Sequence, residues 1–358
     1  MAELEGLESL LTSKELDLFR AVLEESQKIK NRSKTPKQIR KIVPIRKWIE
    51  DEFYVGPPGM SLYPYWKERI IEIFDENRDT AINEVIITGG LGTGKSTAGC
   101  FCIIRKLYEL SCYVNIPTLF GLMPGTLISF MYFTVSKTQA ELTGYGQIKQ
   151  IIDSIPYFKE MFSRNDKLQS MLVFPENLLL FYGSSNAHFI GMNMIGSILD
   201  EANFFQNGAQ NPTKSAVEYS KIQEMYTSIV NRTKSRFKSQ KMDASLSILI
   251  SSNTTSSSFT DKRIKEVEGD DNVLIINARV WDVKPKGTYS DEMFWVFTGS
   301  DLLDPYVVQG IEDVYQYTDS MDFSRVEGSI DDIINSLVIG RRSLYRYLLI
   351  SRSSMKIT

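Results

Sequence analysis

One segment of eight residues constrains the fold of this chain more than any other. Gly89–Ser96 reads GGLGTGKS and fits the pattern G-x-x-x-x-G-K-[ST]. Glycines let a loop turn tightly and bring backbone N–H groups against an anion, because no Cβ stands in the way. The segment follows an apolar β-branched run, Glu84–Thr88, and opens an amphipathic pattern, Lys95–Leu110. A strand, a glycine-rich loop and a helix in this order predict a phosphate-binding P-loop, or Walker A motif, at a helix N-terminus.

The residue types in this loop predict the part that each plays in binding a nucleotide. The Lys95 ammonium is expected to reach the β- and γ-phosphates of ATP, and the Ser96 hydroxyl to coordinate Mg²⁺. The predicted nucleotide-binding residues of the motif are Gly89, Gly90, Leu91, Gly92, Thr93, Gly94, Lys95, Ser96 and Thr97.

A second motif supplies the acids that hydrolysis of a nucleotide needs. The apolar run Ile195–Leu199 ends in Asp200 and Glu201. Asp200 at the strand end is expected to hold Mg²⁺, as in a Walker B motif, and Glu201 to polarise the attacking water. An acid pair of this kind favours a hydrolase over a kinase. The alternative interpretation is a strand that runs into an ordinary polar turn.

A third run, Ser247–Ser251, reads SILIS and is followed by Ser252 and Asn253. A buried strand that ends in small polar residues beside the γ-phosphate is able to sense whether that phosphate is present. Ser252 and Asn253 are therefore predicted to contact the nucleotide. A plain exit from strand to loop remains the alternative.

Strand-like and helical patterns alternate from Glu84 onwards. The predicted strands are Glu84–Thr88, Leu127–Thr134, Leu178–Tyr182, Ile195–Leu199, Ser247–Ser251 and Val273–Val280. The predicted helices between them are Lys95–Leu110, Lys137–Ile155 and Val217–Phe237. Strands that alternate with helices form parallel sheets covered on both faces. We therefore predict an α/β fold, a P-loop NTPase with the additional catalytic glutamate (ASCE type), whose mainly parallel central sheet is flanked by helices.

The length of 358 residues suits about two domains. Residues 1–60 are predicted to be a helical, basic N-terminal extension, in which Pro57, Pro58 and Gly59 break the chain. Residues 61–300 are predicted to form the ATPase core, and residues 301–358 a small lid or linker.

Charge is distributed unevenly along the chain. The net charge is −3, with 41 Lys and Arg against 44 Asp and Glu. The stretch Lys28–Lys47 contains nine Lys or Arg and no acid, so the rest of the chain carries −12. Such a basic segment either binds nucleic acid or stays solvated.

Composition excludes several other classes of protein. The single histidine, His188, rules out a zinc site built on two histidines. Cys100 and Cys102 do not share a helix face, so buried free thiols are expected there and at Cys112. No apolar stretch is long enough to span a membrane, and the acidic start, MAELEGLESLL, is unlike a signal peptide. A protein of a reducing compartment, not bound to a membrane, is expected.

The P-loop, the acid pair and the polar strand end, in this order, resemble the ATPase domain of the large terminase subunit, the viral (bacteriophage) motor that packages DNA. The resemblance covers roughly residues 60–300, including the gap of roughly a hundred residues between loop and acids. Glu224–Phe237 is similar to the family's basic helix, and Trp281–Pro285 to its segment after the next strand. The position of Ser252 and Asn253 corresponds to its coupling motif.

The resemblance implies ATP-driven translocation of double-stranded DNA into a procapsid, with ATP and Mg²⁺ as cofactors. It also implies a homo-oligomeric ring, a portal protein and a small terminase subunit as partners, and the host cytoplasm as location. Fewer than sixty residues follow residue 300, so the metal-dependent nuclease domain of the family is expected to be absent.

Three family features have no direct counterpart in this sequence. Many members carry a basic residue early in the P-loop, and the loop GGLGTGKS has none. Some members carry a trans-acting arginine in an Arg-Gly pair shortly before the acids, where this chain has Phe189-Ile190-Gly191. Arg232 and Arg236 are the candidates for that role. The family's adenine-binding Gln is missing from Tyr63–Trp66. Tyr65 is the candidate to stack on adenine there, with a buried core aromatic as the alternative.

Three functions are compatible with these motifs. A DNA-translocating ATPase of the packaging type is the main hypothesis. Another nucleic-acid P-loop motor, such as a helicase, is the second, although no second P-loop-like lobe is found. A nucleotide-gated assembly module with slow, incidental hydrolysis is the third. Acceleration of hydrolysis by DNA distinguishes the motors from the gated module.

Overall fold

The structure is a computed structural model. It describes residues 36–90, 92–134, 138, 140–165, 171–183, 193–203, 223, 226–227, 229–231, 233, 235–237, 244–251 and 259–285, and the backbone of 293–297, 306–308 and 323–327. Leu91, Arg232, Ser252, Asn253, His188 and Phe189–Gly191 therefore lie outside the described residues.

A seven-stranded sheet forms the centre of the fold, in the order β5-β6-β4-β7-β8-β2-β9. Its strands are β2 (Glu84–Gly89), β4 (Ile128–Phe133), β5 (Leu172–Phe174), β6 (Leu178–Gly183), β7 (Asn193–Leu199), β8 (Leu246–Ser251) and β9 (Val273–Ala278). All six predicted strands are present, with ends within two residues of the prediction. Neighbouring strands are parallel except β5, which pairs antiparallel with β6.

The central strands are parallel, and both of their faces are covered. Every residue of β2, β4 and β8 is buried. Continuous apolar, β-branched runs are typical of strands that lie between two layers of helices. The predicted mainly parallel sheet is thus confirmed. The carboxyl ends of β2, β7 and β8 meet at one edge, which places the P-loop close to the acid pair.

The helices have the following bounds: α1 Ile45–Glu50, α2 Glu52–Met60, α3 Pro64–Ile73, α4 Lys95–Ser111, α5 Ile116–Leu119, α6 Gly146–Ser154, α7 Pro156–Glu160, α8 Phe259–Glu266 and α9 Val280–Val283. A π-helix, Ala140–Tyr145, runs directly into α6. The described residues of the predicted helix Lys137–Ile155 are thus helical as far as Ser154, and the π-helical geometry of the first part was not predicted. Within the predicted helix Val217–Phe237, described residues between 223 and 236 are helical. Among the described residues no helix is long and apolar enough to cross a membrane.

The N-terminal segment is bent at Gly56 and not at the predicted Pro57-Pro58-Gly59. Gly56 has φ 63° and ψ 178° and separates two helical turns of α2. Pro57 is the first residue of the second turn, where its fixed φ and missing N–H fit a helix start. The glycine therefore makes the break, and the prolines begin a new turn.

The described part of the basic segment is folded onto the body of the protein. The strand β1 (Lys37–Gln38) pairs with β3 (Tyr113–Val114). The Arg40 guanidinium donates to the carbonyl oxygens of Ser111 and Met161 at 3.0 and 3.2 Å. Residues 36–47 are thus not a loose arm, although Lys37, Lys41, Arg46 and Lys47 remain exposed.

A separate antiparallel sheet of three strands, ordered β11-β10-β12, lies near the end of the chain. Its strands are β10 (Met293–Phe297), β11 (Tyr306–Val308) and β12 (Phe323–Glu327). No strand was predicted there, because the sequence between 290 and 330 mixes charged and apolar residues without a clear period. The assignment of 301–358 as a lid or linker stays a prediction.

Candidate nucleotide-binding site

The P-loop lies at the carboxyl end of β2, between β8 and β9. Gly92 and Gly94 have φ of 71° and 81°, a left-handed conformation that glycine adopts without a steric cost. The Gly90 N–H donates to the carbonyl oxygen of Ala278 at 3.2 Å, which anchors the loop to β9. The Thr93 hydroxyl donates to the carbonyl oxygen of Gly90 at 3.0 Å and closes the loop on itself.

Trp66 supports the P-loop from α3 and was not among the predicted site residues. Its indole N–H donates to the carbonyl oxygen of Thr93 at 2.5 Å. A Cβ added at Gly94 would lie 3.3 Å from the indole nitrogen. Trp66 is 1% exposed. The sequence signal was the aromatic segment Tyr63–Trp66, in which Tyr65 was selected and its neighbour was not.

Lys95, the first residue of α4, is buried inside the loop. Its ammonium donates to the carbonyl oxygens of Gly89 and Gly90 at 2.9 and 2.6 Å. Burial lowers the pKa of Lys95, and the nearby carboxylates of Glu201 and Asp200 partly offset this effect. The three residues are thus close enough to interact electrostatically, as the sequence predicted from two separate motifs.

Asp200 is held mainly by β4, its neighbour in the sheet. The Asp200 N–H donates to the carbonyl oxygen of Phe133 at 2.8 Å, one residue beyond the end of β7. Its Oδ2 accepts a hydrogen bond from the Tyr132 hydroxyl, and its Oδ1 accepts one from the Glu201 N–H at 2.9 Å. The residue is 6% exposed, and its carboxylate therefore has a fixed orientation.

Glu201 follows in a left-handed backbone conformation, with φ 55°. For a residue other than glycine this is a strained position, and strain of this kind clusters at functional sites. The turn that contains it continues into Asn203, whose N–H donates to the Ser251 hydroxyl at 3.1 Å. The acid pair is therefore tied to the end of β8, immediately before Ser252 and Asn253.

Asn203 also connects this turn to α8. Its side-chain amide donates to the Thr260 hydroxyl at 2.7 Å, and its side-chain oxygen accepts the Thr260 N–H at 3.1 Å. Asn203, Ser251 and Thr260 are each fully buried. A buried amide with both polar atoms satisfied fixes the geometry of the groups that it joins.

Gln147, near the start of α6, is a second residue that the sequence did not identify. Its amide donates to the Thr97 hydroxyl at 2.7 Å. Thr97 was predicted to bind nucleotide and lies on α4 next to Ser96.

Cys100, one turn further along α4, is buried like Cys102 and Cys112, as predicted, and burial raises the pKa values of all three thiols.

The two remaining predicted residues that the structure describes lie apart from the acids. The Tyr65 hydroxyl, on α3, donates to the carbonyl oxygen of Asn277 at 3.4 Å, which places it on the β9 side of the P-loop. Its role in stacking on adenine stays a prediction. Arg236 is exposed and donates to the Asn193 side chain at 3.0 Å. Asn193 begins β7, so Arg236 lies at the sheet edge opposite the P-loop of its own subunit.

Ser96 and Asp200 fit a magnesium ion by the chemistry of their side chains. A hydroxyl and a carboxylate are the hard oxygen ligands that Mg²⁺ prefers, with substrate phosphates and water completing its octahedron. In the described part of the chain, no group of three or more His, Cys, Asp and Glu side chains is arranged to hold a metal.

A glycine-rich loop at a helix N-terminus, a buried lysine and an acid pair two strands away define a P-loop nucleotide-binding domain of the ASCE type. The sequence profile of the family described as "Uncharacterized protein MJ0330, N-terminal P-loop domain" matches residues 66–297, more than half of the chain. The chain belongs to this family. No curated protein sequence matches it.

Solved structures similar to this chain include phage large terminases. The HK97 bacteriophage enzyme is 17% identical, with a TM-score of 0.43, over 68% of this chain and 44% of that one. The enzyme from a thermophilic bacteriophage, in complex with ADP, is 11% identical, with a TM-score of 0.41, over 63% and 48%. The ATPase domain of the Thermus phage P74-26 enzyme is 12% identical, with a TM-score of 0.35, over 60% and 81%. This chain spans less than half the length of the first two.

Proposed function

We propose that this chain hydrolyses ATP and uses the energy to drive double-stranded DNA into a viral procapsid. The observation that supports the ATPase most directly is the meeting of Lys95, Asp200 and Glu201 at one edge of the sheet. The three come from motifs roughly a hundred residues apart in the sequence. The order of the three motifs, together with the basic segment, favours DNA as the partner.

In the proposed mechanism water attacks the γ-phosphate in line with the bond that breaks. The Lys95 ammonium contacts the phosphates, and backbone N–H groups of the P-loop hold them. Ser96 and Asp200 would hold Mg²⁺, which would neutralise charge on the phosphates. Glu201 orients the attacking water, and an arginine of a neighbouring subunit completes the site.

Arg232 and Arg236 remain the proposed candidates for that arginine. Because Arg236 lies at the edge opposite its own P-loop, in that role it would have to act on another subunit of a ring. Portal protein, procapsid and a small terminase subunit are the proposed partners of such a ring, and the host cytoplasm its location.

The proposal is tested by measuring ATP hydrolysis with and without linear double-stranded DNA, with Glu201→Gln as the blank. Stimulation by DNA supports a translocating motor. Hydrolysis indifferent to DNA supports the nucleotide-gated module. Stimulation by single-stranded DNA alone supports a helicase-like motor. A fully active Glu201→Gln variant would contradict the role given to Glu201.

Salt dependence tests whether the basic segment contacts DNA. The test variant replaces the exposed residues Lys37, Lys41, Arg46 and Lys47 by Gln. The slope of log affinity against log salt concentration should become less steep, by about 0.9 for each phosphate that the protein no longer neutralises. The control is replacement of Lys262 and Lys265 by Gln, since these residues are exposed on α8. An equal change per charge removed in the two variants would mean that only the overall charge matters.

A further inference from the structure

Residues of β4 and of α6, which the π-helix connects, contact the two parts of the proposed site: Asp200, and the helix α4 that follows the P-loop. Tyr132 of β4 donates to Asp200 Oδ2, and the carbonyl oxygen of Phe133 accepts the Asp200 N–H. Fourteen residues further on, Gln147 donates to the Thr97 hydroxyl, beside Ser96. One continuous segment thus holds the acid expected to bind the metal and the helix that begins at the P-loop.

The π-helix is shaped around the ring of Tyr132. A Cβ added at Gly144 would overlap with three atoms of that ring, so the backbone of the π-helix packs directly on the ring. Tyr132 is 1% exposed. The ring cannot move aside in so close a fit, and its hydroxyl is therefore held towards Asp200. A π-helix within an otherwise α-helical segment often marks a functional position.

We infer that Tyr132 and Gln147 are positioning residues that fix the distance between Asp200 and Ser96, so that the two side chains bind one metal ion together. The inference rests on the proposed function, since it concerns the same metal and nucleotide. Groups that orient metal ligands typically contribute about 10–100-fold to metal affinity. Tyr132 acts on the acid directly, and Gln147 acts on α4 through Thr97.

The two residues are expected to have separable effects. Tyr132→Phe removes only the hydroxyl that orients Asp200. It should weaken metal affinity by about 10–100-fold and leave metal-free nucleotide affinity unchanged. Gln147→Met keeps the length of the side chain and removes the amide. It should weaken nucleotide affinity without metal as well, because Thr97 lies among the nucleotide-binding residues.

The test uses Mn²⁺ as a probe for Mg²⁺, with a non-hydrolysable ATP analogue. Electron paramagnetic resonance gives the affinity for Mn²⁺, and a fluorescent ADP gives the nucleotide affinity in EDTA. Tyr182→Phe is the matched control: Tyr182 lies opposite Tyr132 in the register of β6 with β4, and its ring contacts Tyr145 of the π-helix, with the ring centroids 4.8 Å apart. It should bind Mn²⁺ as the unaltered protein does.

Gly144→Ala is a second way to perturb the hydrogen bond from the Tyr132 hydroxyl to Asp200. It should displace the Tyr132 ring and reproduce the loss of Mn²⁺ affinity, even if Tyr132→Phe proves too unstable to measure. Unchanged Mn²⁺ affinity in Tyr132→Phe, or an equal loss in Tyr182→Phe, would overturn the inference. If the unaltered protein bound no metal with the nucleotide, the proposed function itself would fail, which distinguishes the two results.

Discussion

The left-handed backbone conformation of Glu201 means that a substitution there can change the stability of the protein independently of its activity. This conformation costs a side chain about 1–2 kcal/mol, while glycine costs about 0.5–1 kcal/mol through its freedom in the unfolded chain. Glu201→Gln and Glu201→Gly both remove the carboxylate, so neither should hydrolyse ATP. The Gly variant should have a free energy of unfolding about 0.5–1 kcal/mol above that of the Gln variant. Urea unfolding of the two proteins measures the difference, and a less stable Gly variant would show that the turn is not strained.

Lys95 is expected to make stability depend on pH in the alkaline range. Its pKa is lowered in the folded protein from the usual value of 10.5. Between the folded and the unfolded pKa, the unfolded chain binds more protons, so stability rises as pH rises through this range. Lys95→Met carries no charge to bury. Without nucleotide it should unfold at a higher temperature than the unaltered protein at about pH 7.

The advantage of Lys95→Met should shrink as pH approaches about 10, because the unaltered protein then loses the buried charge. Thermal unfolding at both pH values checks this expectation. An advantage that is the same at both values would point to packing of the methionine and not to the charge. Nucleotide binding should be lost in the variant at either pH.

At the scale of elements, a buried ion pair fastens α8 to the amino end of β2. Glu84 is fully buried and accepts two hydrogen bonds from the Arg263 guanidinium, both at 2.8 Å, and a third from the Tyr226 hydroxyl at 3.0 Å. Arg263→Leu leaves the Glu84 carboxylate buried without its cation and should cost about 3–5 kcal/mol. Guanidinium chloride unfolding gives this value.

The double variant Glu84→Leu, Arg263→Leu is the control for that prediction. It removes both charges and should regain most of the stability, because replacing a buried pair by apolar residues is often close to neutral. Nucleotide affinity should change little, since the pair and the P-loop lie at opposite ends of β2. A double variant as unstable as Arg263→Leu would mean that packing, and not charge, fastens α8.

The elements that were predicted correctly are those whose pattern is local. EVIIT before GGLGTGKS specifies β2, the loop and α4, and a buried run before Asp200 specifies β7. The contact of Tyr132 with Asp200 joins residues that are 68 positions apart in the sequence. It depends on the register between β4 and β7, which the periodicity of the sequence does not predict. The bend at Gly56 was missed because a Pro-Pro-Gly sequence is typical of a break, whereas here the prolines begin a helical turn.

For the whole molecule, the position of the site predicts that nucleotide binding stabilises the entire sheet. The residues proposed to contact nucleotide and metal include the loop after β2, Asp200 after β7 and the start of α4, and these elements belong to the same layered core. ADP at about 100 times its dissociation constant should add about 2.7 kcal/mol to the free energy of unfolding. Thermal unfolding with and without ADP measures this effect. Lys95→Ala should show no shift, and a shift of the same size there would place ADP elsewhere.

The central place of β2 also affects how the chain is made. Its partners β8 and β9 follow roughly 160 and 190 residues later. At a synthesis rate of about 5–20 residues per second, roughly 8–32 s pass before β8 is made, and until then neither edge of β2 has its partner strand. Apolar strands with free edges readily join other chains. We therefore expect this strand to need cover during synthesis, by a chaperone or by α4, if the new chain is not to aggregate.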